Sequence, residues 1–285
     1  MINQKNRSLV EIHFAVFLFG LAGLFAKFLP LPAIVIVWGR VLFASLSLGV
    51  ILYFSKTSFK LNSLKDYFIL SAMGIILAFH WFAFFHSIQL STVAIGLLTF
   101  STFPVFVAFI EPIFFKQRIK LFDIFIAFIT FAGVLLIIPE FKLNNNVTIA
   151  VIWGVLSGVS FAVLSVLNKS FINKYSSLTI AFYEDTVAAI VLVPFLFFIE
   201  FEITAGNIFM LMLLGVVFTA VAHTLFIKGM KMVKAQLASI IASLEPVYGV
   251  VFAIILLNEI PDQKVFIGGA LIILATIWAS LKKRK

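Results

Sequence analysis

Two short stretches decide how this chain reads: Ser101-Thr102-Phe103-Pro104-Val105 and Ser243-Leu244-Glu245-Pro246-Val247. They lie 142 residues apart, and the same shift sets Lys27 on Lys169. Identity between the two halves is otherwise low, so the matches are few but well placed. Self-similarity at one fixed shift marks a duplicated architecture. Each stretch also falls inside a long apolar run, which makes the duplicated unit a set of membrane helices.

A helix crossing about 30 Å of hydrocarbon needs about 20 apolar residues. Runs of that kind occupy residues 9–29, 32–54, 66–88, 91–114, 121–139, 148–168, 177–199, 207–228, 235–257 and 264–281. Pro30 and Pro32 end the first run, and His86 and Gln89 end the third. The 142-residue shift sets the first five runs on the last five, with Asn144-Asn145-Asn146 as the joint. Because five is odd, the second half must enter the membrane upside down. The expected fold is therefore an all-α polytopic membrane protein of ten transmembrane helices, built as two inverted five-helix repeats over residues 1–141 and 148–285. Secondary transporters use this architecture and place the substrate site near the midplane between the repeats.

Composition agrees. Of the 285 residues 63% are hydrophobic and 12% charged, 36 are phenylalanine, and mean hydropathy is +1.18. Soluble chains carry about 25% charged residues. The net charge of +9 does not indicate nucleic-acid binding, because the basic residues form short clusters between apolar runs and make no stripe for phosphates. They instead set an orientation. With the N-terminus cytoplasmic, the inner segments hold Lys5, Arg7, Lys56, Lys60, Lys65, Lys116, Arg118, Lys120, Lys169, Lys174, Lys228, Lys231, Lys234 and the last four residues, Lys282 to Lys285. These are 17 of the 21 basic residues. The positive-inside rule thus places both termini inside, in a cytoplasmic membrane. No small-x-small cleavage site closes the first run, which reads as a retained helix. Ser8 and Glu11 have capping-box spacing, so Glu11 is expected at the start of that helix.

At the two opening stretches the sequence resembles the EamA-type branch of the drug/metabolite transporter superfamily. The family pattern there is a proline in a small-residue helix, followed by an apolar stretch ending in Gly-Glu. The second half runs from Pro246 to Asn258-Glu259, with Asn258 in place of the glycine. The first half keeps Pro104 but reads Lys116-Gln117-Arg118 where the Gly-Glu would fall. Phe19-Gly20 followed by Lys27 also fits. The resemblance implies a central cavity between two five-helix repeats and a role in moving small metabolites, often outward.

Charged groups at membrane depth cost about 2.5–3.5 kcal/mol on insertion scales, so each needs a partner or a cavity. Glu245, next to Pro246 near mid-depth, is a candidate for the substrate or proton site, or a residue that fixes packing. Glu184 and Asp185 are adjacent on one helix and about 100° apart. One is expected to line a cavity and the other to pair with Lys169 or Lys174. Arg40 could hold a substrate carboxylate or phosphate, or neutralise Glu184, Asp185 or Glu245. Lys27 and Lys169 are close enough to the interfaces to snorkel. His80 and His223 are cavity or core candidates, while Trp38, Tyr183 and Tyr248 could supply stacking walls near these charges. Pro104 and Pro246 are candidate hinges. Gly154 and Gly158 suit close helix packing.

No histidine spacing suits a metal. There is no phosphate loop for direct ATP drive, and no cofactor is expected. The sequence therefore points to a secondary transporter, an exporter or exchanger of an amino acid, amine or nucleoside-like solute. Its expected partners are that solute, the lipid bilayer and a proton. The competing reading is an intramembrane enzyme acting on a lipid-linked substrate, with Glu111 near Lys116 as a fragment of its site.

Overall fold

A computed structural model describes residues 4–119, 121–138, 142 and 144–281, without the side chains of residues 123, 276 and 279–281. Lys120, Lys282 to Lys285 and the boundary positions 141 and 285 lie outside the described residues. In the first half, α1 (Gln4–Ala22) and α2 (Phe25–Phe28) form one span. It is followed by α3 (Ala33–Phe54), α4 (Leu64–Leu90), a span made of α5 (Val93–Phe100) and α6 (Phe103–Phe114), and α7 (Leu121–Ile137). The second half begins with α8 (Asn146–Phe171) and α9 (Ser177–Leu196). Next comes a span of α10 (Ala205–Gly215), a π-helical turn (Val216–Val221) and α11 (Ala222–Gly229). Then α12 (Ala235–Ala242) and α13 (Glu245–Leu257) share a span, and α14 (Gln263–Leu281) completes the ten spans among the described residues. Eight spans are at least 18 residues long and apolar enough to cross a membrane; α7 and α14 are the other two.

Polar residues start several of these helices. The side chains of Ser63, Thr92, Asn145, Ser176 and Thr204 each accept a hydrogen bond from a backbone N–H in the first turn that follows. Such caps satisfy donors that would otherwise be stranded where the chain re-enters lipid. Glu11 does not start the first helix, which is already formed at Gln4. It lies one turn or more inside, 2.8 Å from Lys228 and 3.3 Å from Arg7.

The packing is paired as an inverted duplication requires. α4 lies on α8 as α11 lies on α1, α4 on α9 as α10 on α3, and α6 on α8 as α13 on α1. α3 packs on α9, and α7 on α14, across the pseudo-symmetry axis. Each half thereby covers the apolar seam of the other. Gly154 and Gly158 sit where α8 crosses the fourth span: a Cβ on Gly154 would overlap the Thr99 hydroxyl, and one on Gly158 would lie 3.0 Å from the Phe100 carbonyl.

The two opening stretches are the two broken spans. The chain leaves helical form at Ser101-Thr102 and at Ser243-Leu244, and Pro104 and Pro246 stand in the first turn of the half-helix that follows. A proline is tolerated there because first-turn N–H groups have no partner within the helix. Deeper in a helix it removes a backbone hydrogen bond and crowds the carbonyl four residues back, which kinks or breaks the helix; α6 and α9 carry Pro112 and Pro194 internally, whereas the chain breaks just before Pro104 and Pro246. The result is an interruption at mid-span and not a bent rod.

Candidate functional site

Arg40, Glu184, Asp185, His223 and Glu245 converge where the halves meet, and none is more than 3% exposed. The centre is closed to both sides of the membrane. Its charges are unevenly supplied: Arg40 comes from the first half and the other four from the second. The 142-residue shift explains what faces them. His223 corresponds to Trp81, Glu184 to Leu42, Asp185 to Phe43 and Glu245 to Phe103. One half is ionisable at the seam where the other is apolar.

Arg40 is held by four residues. Its guanidinium carbon lies 3.6 Å from the centroid of Trp81 and 5.2 Å from that of Phe85, a cation–π stack in a dry setting. Its Nε donates to Thr219 Oγ1 at 2.9 Å, and its Nη2 reaches the Phe218 carbonyl at 3.5 Å. Both acceptors belong to the π-helical turn. Wide turns of this kind recur at functional sites because they displace backbone and side chains from the regular ladder. Thr219 Oγ1 in turn donates to the Leu214 carbonyl, five residues back, at 2.8 Å. The approach of α3 depends on Gly215, where a Cβ would lie 2.6 Å from both the Arg40 carbonyl and Phe43 Cβ.

The acids do not divide as the sequence suggested. Both point inward and flank one imidazole: Glu184 Oε2 is 3.1 Å from His223 Nε2, and Asp185 Oδ2 is 3.9 Å from His223 Nδ1. Two consecutive positions can both be buried because α3, α4 and α11 surround this part of α9. Neither acid pairs with Lys174, which bonds Asp66 at 2.5 Å, or with Lys169. Arg40 stands within electrostatic reach of Asp185 and Glu245. Among the described residues, Arg40 Nη1 and both carboxylate oxygens of Asp185 make no hydrogen bond. Glu245 is at the break of the ninth span, where Gly20 lets α1 approach so closely that a Cβ would stand 2.8 Å from the Glu245 carbonyl.

The remaining candidates are placed elsewhere. His80 exchanges hydrogen bonds with Ser157, through the hydroxyl at 2.9 Å and the carbonyl at 3.1 Å, and stacks on Phe161. This is packing between α4 and α8. Tyr183 turns away from the acids beside it and donates to the Phe59 carbonyl at 2.8 Å. Tyr248 packs edge-on against Phe17, and Trp38 is a half-buried neighbour of the main core. Lys27 and Lys169 do not simply reach for water. Lys27 Nζ donates to the Ser91 carbonyl at 2.7 Å, and Lys169 Nζ to the Met230 carbonyl at 2.6 Å. Each closes the end of a helix within its own half, where a cation is favoured. No group of three metal-ligating side chains close enough to hold an ion occurs among the described residues.

Thr219, Phe218, Trp81 and Ser157 are the partners that sequence reasoning did not single out for these roles. Trp81 could have been found from the shift, as the mate of His223. The π-helical turn carries no comparable signal in the residues Val216-Val217-Phe218-Thr219.

Inverted five-helix halves, two broken spans and a sealed polar centre define a membrane transporter. The EamA-like transporter family matches residues 9–138 and again residues 148–281, and the chain belongs to that family. An uncharacterised transporter of Bacillus subtilis (strain 168) is 26% identical over 265 residues, 91% of this chain and 85% of its own. An S-adenosylmethionine uptake transporter of Rickettsia conorii is 26% identical, over 86% of this chain and 82% of its own. The pseudopaline exporter CntI of Pseudomonas aeruginosa is 24% identical, over 76% of each. A crystal structure at 15% identity superposes with a TM-score of 0.74 over 99% of this chain and 98% of its own, a likeness of fold alone.

Proposed function

We propose that this protein is a secondary carrier of the cytoplasmic membrane, with both termini inside, that exchanges or exports a small organic metabolite by alternating access. In this reading the two halves, residues 1–141 and 148–285, rock against each other around a fixed midplane centre. The carrying observation is the sealed centre itself: a guanidinium stacked on Trp81 on one side, and Glu184, Asp185 and His223 on the other. Among the described residues, Arg40 Nη1 lacks a hydrogen-bond acceptor and the Asp185 oxygens lack a hydrogen-bond donor, with His223 Nδ1 3.9 Å from Asp185 Oδ2. A zwitterionic solute would satisfy both, its carboxylate on Arg40 and its ammonium on the acids. Unmet buried polar groups are costly, so a solute completing them gains affinity.

The substrate class is accordingly an amino acid, an amine or a nucleoside-like solute. S-adenosylmethionine, carried by a relative, combines an amino acid with a nucleoside. One relative is named for uptake and another for export, and exchange accommodates both directions. A proton is the coupling ion, held among Glu184, His223 and Asp185. The role is that of a carrier; Glu111, the residue that would start an enzyme site near Lys116, accepts a hydrogen bond from the Gln236 N–H instead.

The test begins with metabolite profiles of cells and medium, with and without the protein. The solute that shifts is then loaded into liposomes holding the purified chain. Counterflow that is lost in Asp185→Asn supports the reading. Solute turnover in detergent, with no flux in vesicles, would replace the carrier with an enzyme.

A further inference from the structure

At each face of the membrane, a carboxylate of one half is bonded to the start of a half-helix of the other. On the first face this is Glu259, which follows α13. Its Oε2 accepts from the N–H of Val93, the first residue of α5, at 2.9 Å, and its Oε1 lies 4.0 Å from Lys27 Nζ. On the opposite face it is Glu111, in α6. Its Oε2 accepts from the N–H of Gln236, the second residue of α12, at 3.2 Å, and Lys169 stands within its electrostatic reach.

The two arrangements correspond under the repeat. The 142-residue shift takes Lys27 to Lys169, Val93 to Ala235 and Lys116 to Asn258. Lys116 and Asn258 are both left-handed, with φ of 54° and 55°, and both end their spans. A lysine at such a position accepts a strain that glycine or asparagine avoids. Only the acids are out of register, since Gln117 is the mate of Glu259. Glu111 serves the same kind of site from six residues upstream. It is needed there: α5 has Thr92 as a side-chain cap, whereas α12 begins after Lys234 and has none. Glu111 thus caps α12 although the repeat mate of Glu259 is Gln117.

We infer that these are the two gates of the carrier, one at each face: Glu259 with Val93 and Lys27, and Glu111 with Gln236 and Lys169. Each spans the two halves, so rocking that opens one face must break one gate and can spare the other. With both formed, the centre is closed on both sides, as the burial of Arg40, Glu184 and Asp185 records. The inference rests on the alternating-access reading but makes its own prediction.

The chain has no cysteine, which suits it to accessibility measurements. Val93 and Ala235 are both fully buried at their gates, so Val93→Cys and Ala235→Cys serve as single reporters in nanodiscs, with a membrane-impermeant maleimide. Adding Glu259→Gln, which keeps an acceptor but removes its charge, should speed labelling at position 93 about fivefold, the difference between a charge-assisted and a neutral hydrogen bond, and should not speed it at 235. Adding Glu111→Gln should do the reverse. A rise at both reporters from one substitution, or no rise at the matching reporter, overturns the gates. If a glutamine variant does not fold, Glu259→Asp and Glu111→Asp, which draw the carboxylate back by one methylene from the N–H it caps, repeat the comparison and must give the same crossed pattern. Solute exchange in liposomes that persists with uncrossed labelling removes the gates and leaves the carrier. Crossed labelling with no exchange of any solute does the opposite.

Discussion

Arg40 should be coupled to Trp81 by about 2 kcal/mol, the range of a desolvated cation–π contact. The guanidinium carbon is 3.6 Å from the ring centroid, and Arg40 is fully buried. Replacing Arg40 alone cannot measure this. Arg40→Met also removes the hydrogen bond to Thr219, worth about 1.5–3 kcal/mol as a charged pair. It recovers a desolvation cost of about 2.5–3.5 kcal/mol on insertion scales, and leaves Asp185 and Glu245 without their counter-charge. These opposing effects make the single-variant result a small difference of large quantities. A double-mutant cycle of Arg40→Met with Trp81→Leu cancels all but the direct contact. Unfolding free energies of the four proteins in mixed micelles supply the cycle. A parallel cycle with Thr219→Val should return the hydrogen bond. Arg40→Lys should lose most of the Trp81 coupling, because an ammonium has no planar face to stack. A coupling below about 0.5 kcal/mol, the level expected of an exposed contact, would refute the argument, as would an Arg40→Lys protein as stable as the wild type.

Three further outcomes are expected. Glu245→Gln should abolish or uncouple solute exchange in liposomes while leaving insertion and the size-exclusion profile unchanged; wild-type exchange would remove Glu245 from the mechanism. Gly215→Ala should cost about 1–3 kcal/mol in unfolding free energy, the range for overpacking, because the new Cβ meets the Arg40 carbonyl and Phe43 Cβ. A neutral result would mean that α3 can retreat without disturbing Arg40. At the membrane edge, Asp66 accepts from Ser63 and Tyr175 and pairs with Lys174, whose ammonium it holds above the usual lysine range. A raised folded pKa means stability that is complete at neutral pH and lost as pH climbs through the folded value. Thermal midpoints should therefore fall at strongly alkaline pH in the wild type, and less so in Asp66→Asn.

Much of this was legible in the chain. Span boundaries moved by a few residues at most positions, because hydropathy and the interrupting polar clusters report one physical requirement. The pseudo-symmetry was legible from Lys27, Ser101, Pro104 and their mates, since a broken span needs its proline at a fixed place. The cost of charge in lipid singled out Arg40, Glu184, Asp185 and Glu245 and allowed Arg40 as their counter-charge, but it gave no reason to set His223 between the two acids. Pairing was less legible. Adjacent residues on a helix diverge, which argued that Glu184 and Asp185 part company, yet a helix enclosed on several sides buries both. Lys27 and Lys169 resemble snorkelling side chains in the sequence, because chain position reveals depth but not which carbonyl lies opposite. Tyr183 and Tyr248 were weighed by their neighbours in sequence, whereas their rings follow the helix face. The π-helical turn was hidden altogether, since no residue type requires one.

That turn has a mechanical meaning. A helix advances about 100° per residue, and Val216–Val221 holds extra chain within an otherwise regular span. Were it drawn out into α-helix, everything beyond it would rotate like the hand of a dial advanced one mark. His223 would swing out from between its two carboxylates, and Thr219 would leave Arg40. The turn lies next to the sealed centre, and the corresponding span of the other half, α4, is continuous helix from Leu64 to Leu90. The two halves share a fold but not this joint.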